Sequence, residues 1–180
     1  MALKATVYKA ELQVSDMDRH HYGTHAITLA RHPSETEERL MVRLLAFVLH
    51  ADERLEFGRG LSAEDEPDLW RRDDTGVIEE WIEVGLPDTR ELRKAAGRAR
   101  RVEVLAYGRA APLWWEQNRE ELSRIRNLRV RSLDPAELAM LTSLAARKMY
   151  LSCTIEERNA WIGGEAGTAS VTPLDWQVPA

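Results

Sequence analysis

Glu66-Pro67-Asp68-Leu69-Trp70, then Arg71-Arg72, then Asp73-Asp74-Thr75-Gly76, then Val77-Ile78-Glu79-Glu80-Trp81-Ile82-Glu83-Val84-Gly85: residues 66–85 read as a β-hairpin. The middle tetrad supplies turn chemistry, with Gly76 available for a positive φ. The second run alternates. Ile78, Glu80, Ile82 and Val84 share one face, and Val77, Glu79, Trp81 and Glu83 share the other. Two registers are open. With Thr75-Gly76 as a two-residue loop, Asp68 stands opposite Glu83. With Asp74-Thr75 as the loop, Asp68 meets Trp81, and Glu83 is its diagonal neighbour on the same face. Cross-strand Cβ atoms lie about 4.5–5.5 Å apart and diagonal ones about 7–8 Å, so either register brings two carboxylates together. A slip of one residue would send them to opposite faces.

Two carboxylates this close repel each other unless one takes a proton or a cation stands between them. Hard divalent cations such as Mg²⁺ are held by one or two carboxylates plus water. Asp68 and Glu83 are therefore candidate metal ligands, set against the plainer reading of two solvated acids on an exposed sheet face.

The chain around the hairpin is 180 residues long, which suits one domain over 1–180. Apolar residues make up 44%, enough for a proper core, and the net charge of −5 argues against coating nucleic acid by bulk electrostatics. A local basic patch stays compatible with that charge. A lone cysteine, Cys153, precludes an intramolecular disulfide and fits a reducing cytoplasm. The first residues alternate polar and apolar, unlike a signal peptide. No stretch approaches the roughly 20 apolar residues that span a bilayer, so no membrane partner is expected.

Upstream, residues 4–14 and 22–30 read as two strands joined by the turn residues Ser15-Asp16-Met17-Asp18. His20, His21, His25 and His32 cluster here, but their spacings fit no usual zinc pattern and no cysteine is near. A helix over 34–50 starts with Ser34 and Glu37 as a capping box and carries Met41, Leu44, Leu45 and Val48 as its apolar stripe. Glu35 answers the helix dipole. Glu38 continues the apolar stripe with no capping role. It either escapes to solvent at the first turn or has a partner inside.

A strand is expected over 54–61. Downstream of the hairpin, Leu86-Pro87-Asp88 precedes a helix over 89–100, with Leu92, Ala95, Ala96 and Ala99 inward and Arg90, Arg93, Lys94, Arg98 and Arg101 outward. That basic face is either a solvated surface or a phosphate-binding one. A buried strand follows over 102–107, then a helix opened by Ala111-Pro112 with Trp114, Trp115 and Leu122. A strand over 128–133 leads to a helix from Asp134-Pro135 to 147, capped by Asp134. Residues 149–155 and 161–162 read as a last hairpin, and the tail after Gly163 as irregular. The alternation of strands and helices argues for an α/β fold with a mixed sheet flanked by helices, plus N- and C-terminal β-hairpins.

Residues 1–13 (MALKATVYKAELQ), 30–36 (ARHPSET), 52–57 (DERLEF), 65–70 (DEPDLW) and 109–115 (RAAPLWW) resemble the bacterial YaeQ family over nearly the whole chain. That family is similar in fold to the PD-(D/E)xK nuclease superfamily, which includes restriction endonucleases. The common core of helix, three strands, helix and strand matches residues 34–107. The resemblance implies that Pro67-Asp68 is the "PD", that Glu83 is the acid of "(D/E)xK", and that Glu38 is the acid contributed by the first helix. The lysine expected two residues after Glu83 is Gly85. Some members place it on the following helix, where Lys94 is the natural candidate, with Arg93 and Arg98 as rivals.

The expected function is that of a divalent-metal-dependent nuclease. Asp68, Glu83 and Glu38 would hold Mg²⁺ or Mn²⁺, Lys94 would stabilise developing charge, and Arg93, Arg98 and Arg101 would hold flanking phosphates of nucleic acid. The alternative is a catalytically degenerate member of the fold that binds nucleic acid or a protein partner. A third reading, a structural partner module, would rest on Trp70, Trp114 and Trp115 being exposed.

Overall fold

The computed structural model describes residues 4–60 and 65–180. Eleven strands and four helices among them form two sheets. The first hairpin, β1 (Thr6–Asp16) and β2 (His21–Arg31), has its first strand shifted two residues on, so that Ser15 and Asp16 belong to the strand and not to the turn. Its inward residues Tyr8, Ala10, Leu12 and Val14 are all buried. The last hairpin, β8 (Lys148–Glu156) and β9 (Asn159–Gly164), does not stay separate: β8 pairs with β1 in parallel. The tail expected to be irregular forms two strands. β10 (Gly167–Val171) completes a five-stranded sheet of order β10-β9-β8-β1-β2, and β11 (Leu174–Gln177) joins the other sheet. Period-two burial of Ala169 and Val171 drives β10, a signal the tail's small and polar residues obscure.

The second sheet has the order β11-β7-β6-β5-β4-β3. Its members are β3 (Leu55–Phe57), β4 (Leu69–Arg72), β5 (Ile78–Val84), β6 (Ala99–Ala106) and β7 (Leu128–Ser132), closed by β11. β3 pairs antiparallel with β4 and β4 with β5, whereas β5, β6 and β7 are mutually parallel. The strand expected over 54–61 is thus shorter at the residues described, and Leu61 lies outside them. The fold is mixed α/β as expected, but with two mixed sheets in place of one.

Between the sheets lies α1 (Glu37–Leu49), in which every residue from Leu40 to Leu49 is buried. A helix walled in on all sides needs no polar face, so the four-residue stripe read from sequence understates its burial. Its N-cap is Thr36, whose hydroxyl accepts from the Arg39 N–H. The Ser34/Glu37 capping box is not formed, because Ser34 bonds to His32 instead. With α4 (Pro135–Thr142), α1 fills the larger core. On the far face of the second sheet, α2 (Thr89–Arg98) and α3 (Ala111–Leu122) enclose a smaller core. Trp70, Trp114 and Trp115 are half-buried against that core, with Trp115 stacked on Trp176, so they are not the exposed partner surface considered above. No helix among the described residues is long and apolar enough to cross a membrane.

Candidate functional site

The hairpin joining β4 and β5 places Asp68 and Glu83 opposite each other, since Leu69 pairs with Ile82 and the next residues outward are these two acids. The loop route to that register is not the one either sequence reading supplies. Asp73 N–H donates to Val77 and Gly76 N–H donates to Asp73, which makes a three-residue loop one residue out of step. Arg71 then pairs with Glu80 and Arg72 with Ile78, leaving Glu79 as a bulge that restores the register.

Asp68 sits just before β4 and is buried, with its backbone carbonyl taking the Gly58 N–H. A side chain at Gly58 would place its Cβ 2.0 Å from the Pro67 carbonyl oxygen, so only glycine lets β3 end against this segment. One Asp68 carboxylate oxygen accepts from the Val84 N–H at 2.8 Å. The other accepts from the Arg39 guanidinium at 2.6 Å. The Trp81 indole N–H donates to Glu83 at 2.9 Å. Burial, and then the facing Asp68 carboxylate with which it shares a hydrogen bond, push Glu83 up to about 8. The rise is the one expected of a carboxyl that faces another and has no cation of its own.

The first turn of α1 supplies the cation that is present. Arg39 bridges Asp68 and Glu35, and Arg43 also binds Glu35, at 2.8 Å. Glu35 is therefore a buried ion-pair partner of two arginines, more than an acid answering the helix dipole. The spacing Glu35, Arg39, Arg43 is the i, i+4, i+8 signal that sequence reading passed over. Glu38 is half-buried beside this group. Its charge acts on the Tyr107 hydroxyl, which burial raises to about 12 with Glu38, Asp68 and Glu35 adding to the effect. Glu38 thus shares the surroundings of Tyr107 with Asp68, but among the described residues no three His, Cys, Asp or Glu side chains gather as a metal-binding group.

The basic residues assigned to the next helix disperse. Gly85 has φ of +102°, a conformation that a lysine at this position would adopt only with strain. Lys94 is exposed on α2 and makes no ion pair with a described residue; the α2 charge felt at Glu83 is that of Glu91, an acid. Arg93 pairs with Glu121 of α3. Arg98 lies 5.0 Å over the Trp81 ring. Arg101 is not helical at all, because α2 ends at Arg98 and the chain extends into β6. Arg93 and Arg98 thus lie on α2 and Arg101 on β6.

A second polar cluster, not read from sequence, lies at the opposite end of α1. His50, the residue after α1, donates toward Glu103 at 2.9 Å and lies 3.6 Å from Glu80. Arg131 binds Glu103 from β7, its Nε at 2.6 Å. Glu103 is driven down to about 2: His50 and Arg131 outweigh the burial that opposes its charge. The same carboxylates outweigh the burial of His50 and raise its pKa. Its one trace in the sequence is Glu103, the single charge in the apolar run 102–106.

This chain is thus a two-sheet α/β protein with a facing carboxyl pair, Asp68 buried and Glu83 half-buried, at the mouth of a hairpin. The YaeQ protein family model matches residues 1–173, and the chain belongs to that family. It is 48% identical to the Salmonella typhi relative described as "Uncharacterized protein YaeQ", and 46% identical to its namesake in Escherichia coli K12, over the full length of each. The solved YaeQ structure from Xanthomonas axonopodis pv. citri superposes with a TM-score of 0.94 at 50% identity, over 97% of this chain and 99% of that one. That from Pseudomonas syringae gives 0.92 at 35% identity, over 97% of each.

Proposed function

We propose that the chain is a PD-(D/E)xK-type, divalent-metal-dependent phosphodiesterase acting on nucleic acid. The observation that carries the reading is the Asp68–Glu83 pair, two facing carboxyls of which Asp68 alone is met by a guanidinium. α1, the antiparallel strands β3 to β5, α2 and the parallel strand β6 follow the helix, three strands, helix, strand order of that core.

The residues fit Mg²⁺ or Mn²⁺, which accept one or two carboxylates and fill the remaining positions with water. Asp68 and Glu83 would hold the ion, and Glu38, from the first turn of α1, would add to its shell only through water. When bound, such an ion polarises a phosphate and lowers the pKa of a coordinated water. Arg39 takes the place that the missing lysine leaves open. Its guanidinium is always charged, and its contact with Asp68 fixes it beside the acids, where it can stabilise charge developing on a phosphate. Trp81 orients the Glu83 carboxyl through its indole N–H.

The second reading, a nuclease-fold protein that binds without cutting, is favoured by the exposed Lys94 and by Gly85. Calorimetric titration with Mn²⁺ above pH 8, followed by a cleavage assay on single- and double-stranded nucleic acid, separates the two. We expect ion binding that Asp68→Asn and Glu83→Gln abolish and Glu38→Ala weakens, and cleavage that Arg39→Ala removes. Absence of ion binding ends the metal reading, and binding without cleavage selects the binder.

A further inference from the structure

The cluster around His50 opens onto a cavity of about 350 Å³ between the ends of the two sheets. Five guanidiniums reach it from separate elements: Arg19 from the β1–β2 turn, Arg101 from β6, Arg129 and Arg131 from β7, and Arg158 from the β8–β9 turn. Leu49, Ile82, Ile155 and Pro179 give it apolar wall.

The arginines are not all neutralised. The carboxylates around the cavity, Asp16, Asp18, Glu80, Glu103 and Asp175, are not shared out one to each guanidinium. Asp18 spends its oxygens on the backbone N–H groups of Glu157 and Arg158. Arg129 and Arg158 share the single carboxylate of Asp175, at 2.9 and 3.3 Å. Arg101 is exposed and forms no ion pair with a described residue. Arg131 and Arg19, by contrast, are bound to Glu103 and Asp16. Arg101, Arg129 and Arg158 are thus the guanidiniums least matched by carboxylates, and they come from β6, β7 and the β8–β9 turn.

We propose that this cleft binds a small organic phosphate of nucleotide size, gripped by Arg101, Arg129 and Arg158. Guanidiniums are planar forks that match phosphate oxygens, and a dianionic phosphate offers an acceptor to each of three. A cavity of this volume suits a ligand of that size. The apolar wall takes the body of the ligand, which inorganic phosphate lacks. The site is separate from the Asp68–Glu83 pair and needs no metal.

Calorimetric titration with AMP and with inorganic phosphate, at low salt and with EDTA present, tests it independently of the metal reading. We expect AMP to bind more tightly than phosphate. Arg101→Gln and Arg158→Gln, both at exposed positions that leave the fold intact by thermal melting, should each weaken AMP by about tenfold. No binding of either probe overturns the proposal, as does AMP affinity unchanged in both variants. Binding of a single-stranded oligonucleotide without AMP binding overturns it in favour of a nucleic-acid backbone site.

Discussion

The two ends of α1 carry buried acids under opposite electrostatic regimes. The helix is about 20 Å long. At its start, Asp68 and Glu83 face each other with Arg39 bound to only one of them, and Glu83 is pushed up to about 8. At its end, Glu103 is met by both His50 and Arg131 and is driven down to about 2. Glu103 is more buried than Glu83 and yet is the one driven down, so burial alone does not explain the difference. The number of cations within hydrogen-bonding reach does. One end of the helix is a completed network, and its role is to hold β5, β6 and β7 in place against α1. The other is short of one positive charge, which is the condition for taking up a cation.

The completed network should give the larger stability effect when broken. Glu103→Gln leaves His50 and Arg131 buried without their common partner, a change that costs about 3–5 kcal/mol in such pairs. Urea unfolding between pH 4.5 and 6.5 is the measurement, because both partners then contribute fully. Glu103 has a lowered folded pKa, so its contribution is present above its ordinary 4.5 and is lost as pH falls toward 2. His50 has a raised one, so its contribution is present below its ordinary 6.5 and is lost as pH rises through the folded value. A Glu103→Gln protein as stable as the parent in that window would remove the distinction between the two ends.

The uncompensated pair should respond in the opposite sense. Glu83 has a raised folded pKa, so the fold is unburdened below the ordinary 4.5 and loses stability as pH rises to about 8. Glu83→Gln keeps the hydrogen-bonding shape without the charge. It should be close to neutral in acid and stabilising by about 1–3 kcal/mol above pH 8. Thermal melts at the two extremes read this directly. Mn²⁺ should produce the same stabilisation in the parent at high pH and none in the variant. A Glu83→Gln protein that is less stable at high pH than the parent would mean the pair already has its cation.

The sequence made the first end of the helix readable and left the second hidden, for a physical reason. Asp68 and Glu83 fall on one hairpin, where turn residues and period-two alternation constrain who faces whom over a short contour. Even there the loop length was misread, and the bulge at Glu79 compensated for it. Glu80, Glu103, Arg131 and His50 come from three strands and a helix end, and only the parallel stacking of β5, β6 and β7 assembles them. Arg39 was missed because an arginine in a first helical turn looks like a solvated residue until β4 is placed beside it. Arg101 was assigned to the wrong face because the helix stops at Arg98, two residues earlier than expected. The two sheets were likewise read as one, since the parallel pairing of β1 with β8 joins the two ends of the chain and leaves no local signal.

The smallest effect expected is at Lys94, and it probes where the missing charge comes from. If the cation for the Asp68–Glu83 pair came from α2, Lys94 would have to turn inward past Leu92 and Ala95, which are buried on the sheet-facing side of that helix. Lys94 is exposed instead, and Glu91 on the same helix adds repulsion at Glu83. Lys94→Ala should therefore change stability by less than about 0.5 kcal/mol, as substitutions of solvated surface residues do. It should also leave Mn²⁺ affinity unchanged above pH 8. Arg39→Ala in the same titration should alter that affinity, because it removes the one guanidinium bound to Asp68. A Lys94→Ala protein with a shifted Mn²⁺ affinity, beside an Arg39→Ala protein with none, would move the source of charge from α1 to α2 and restore the lysine of the nuclease motif to its displaced position.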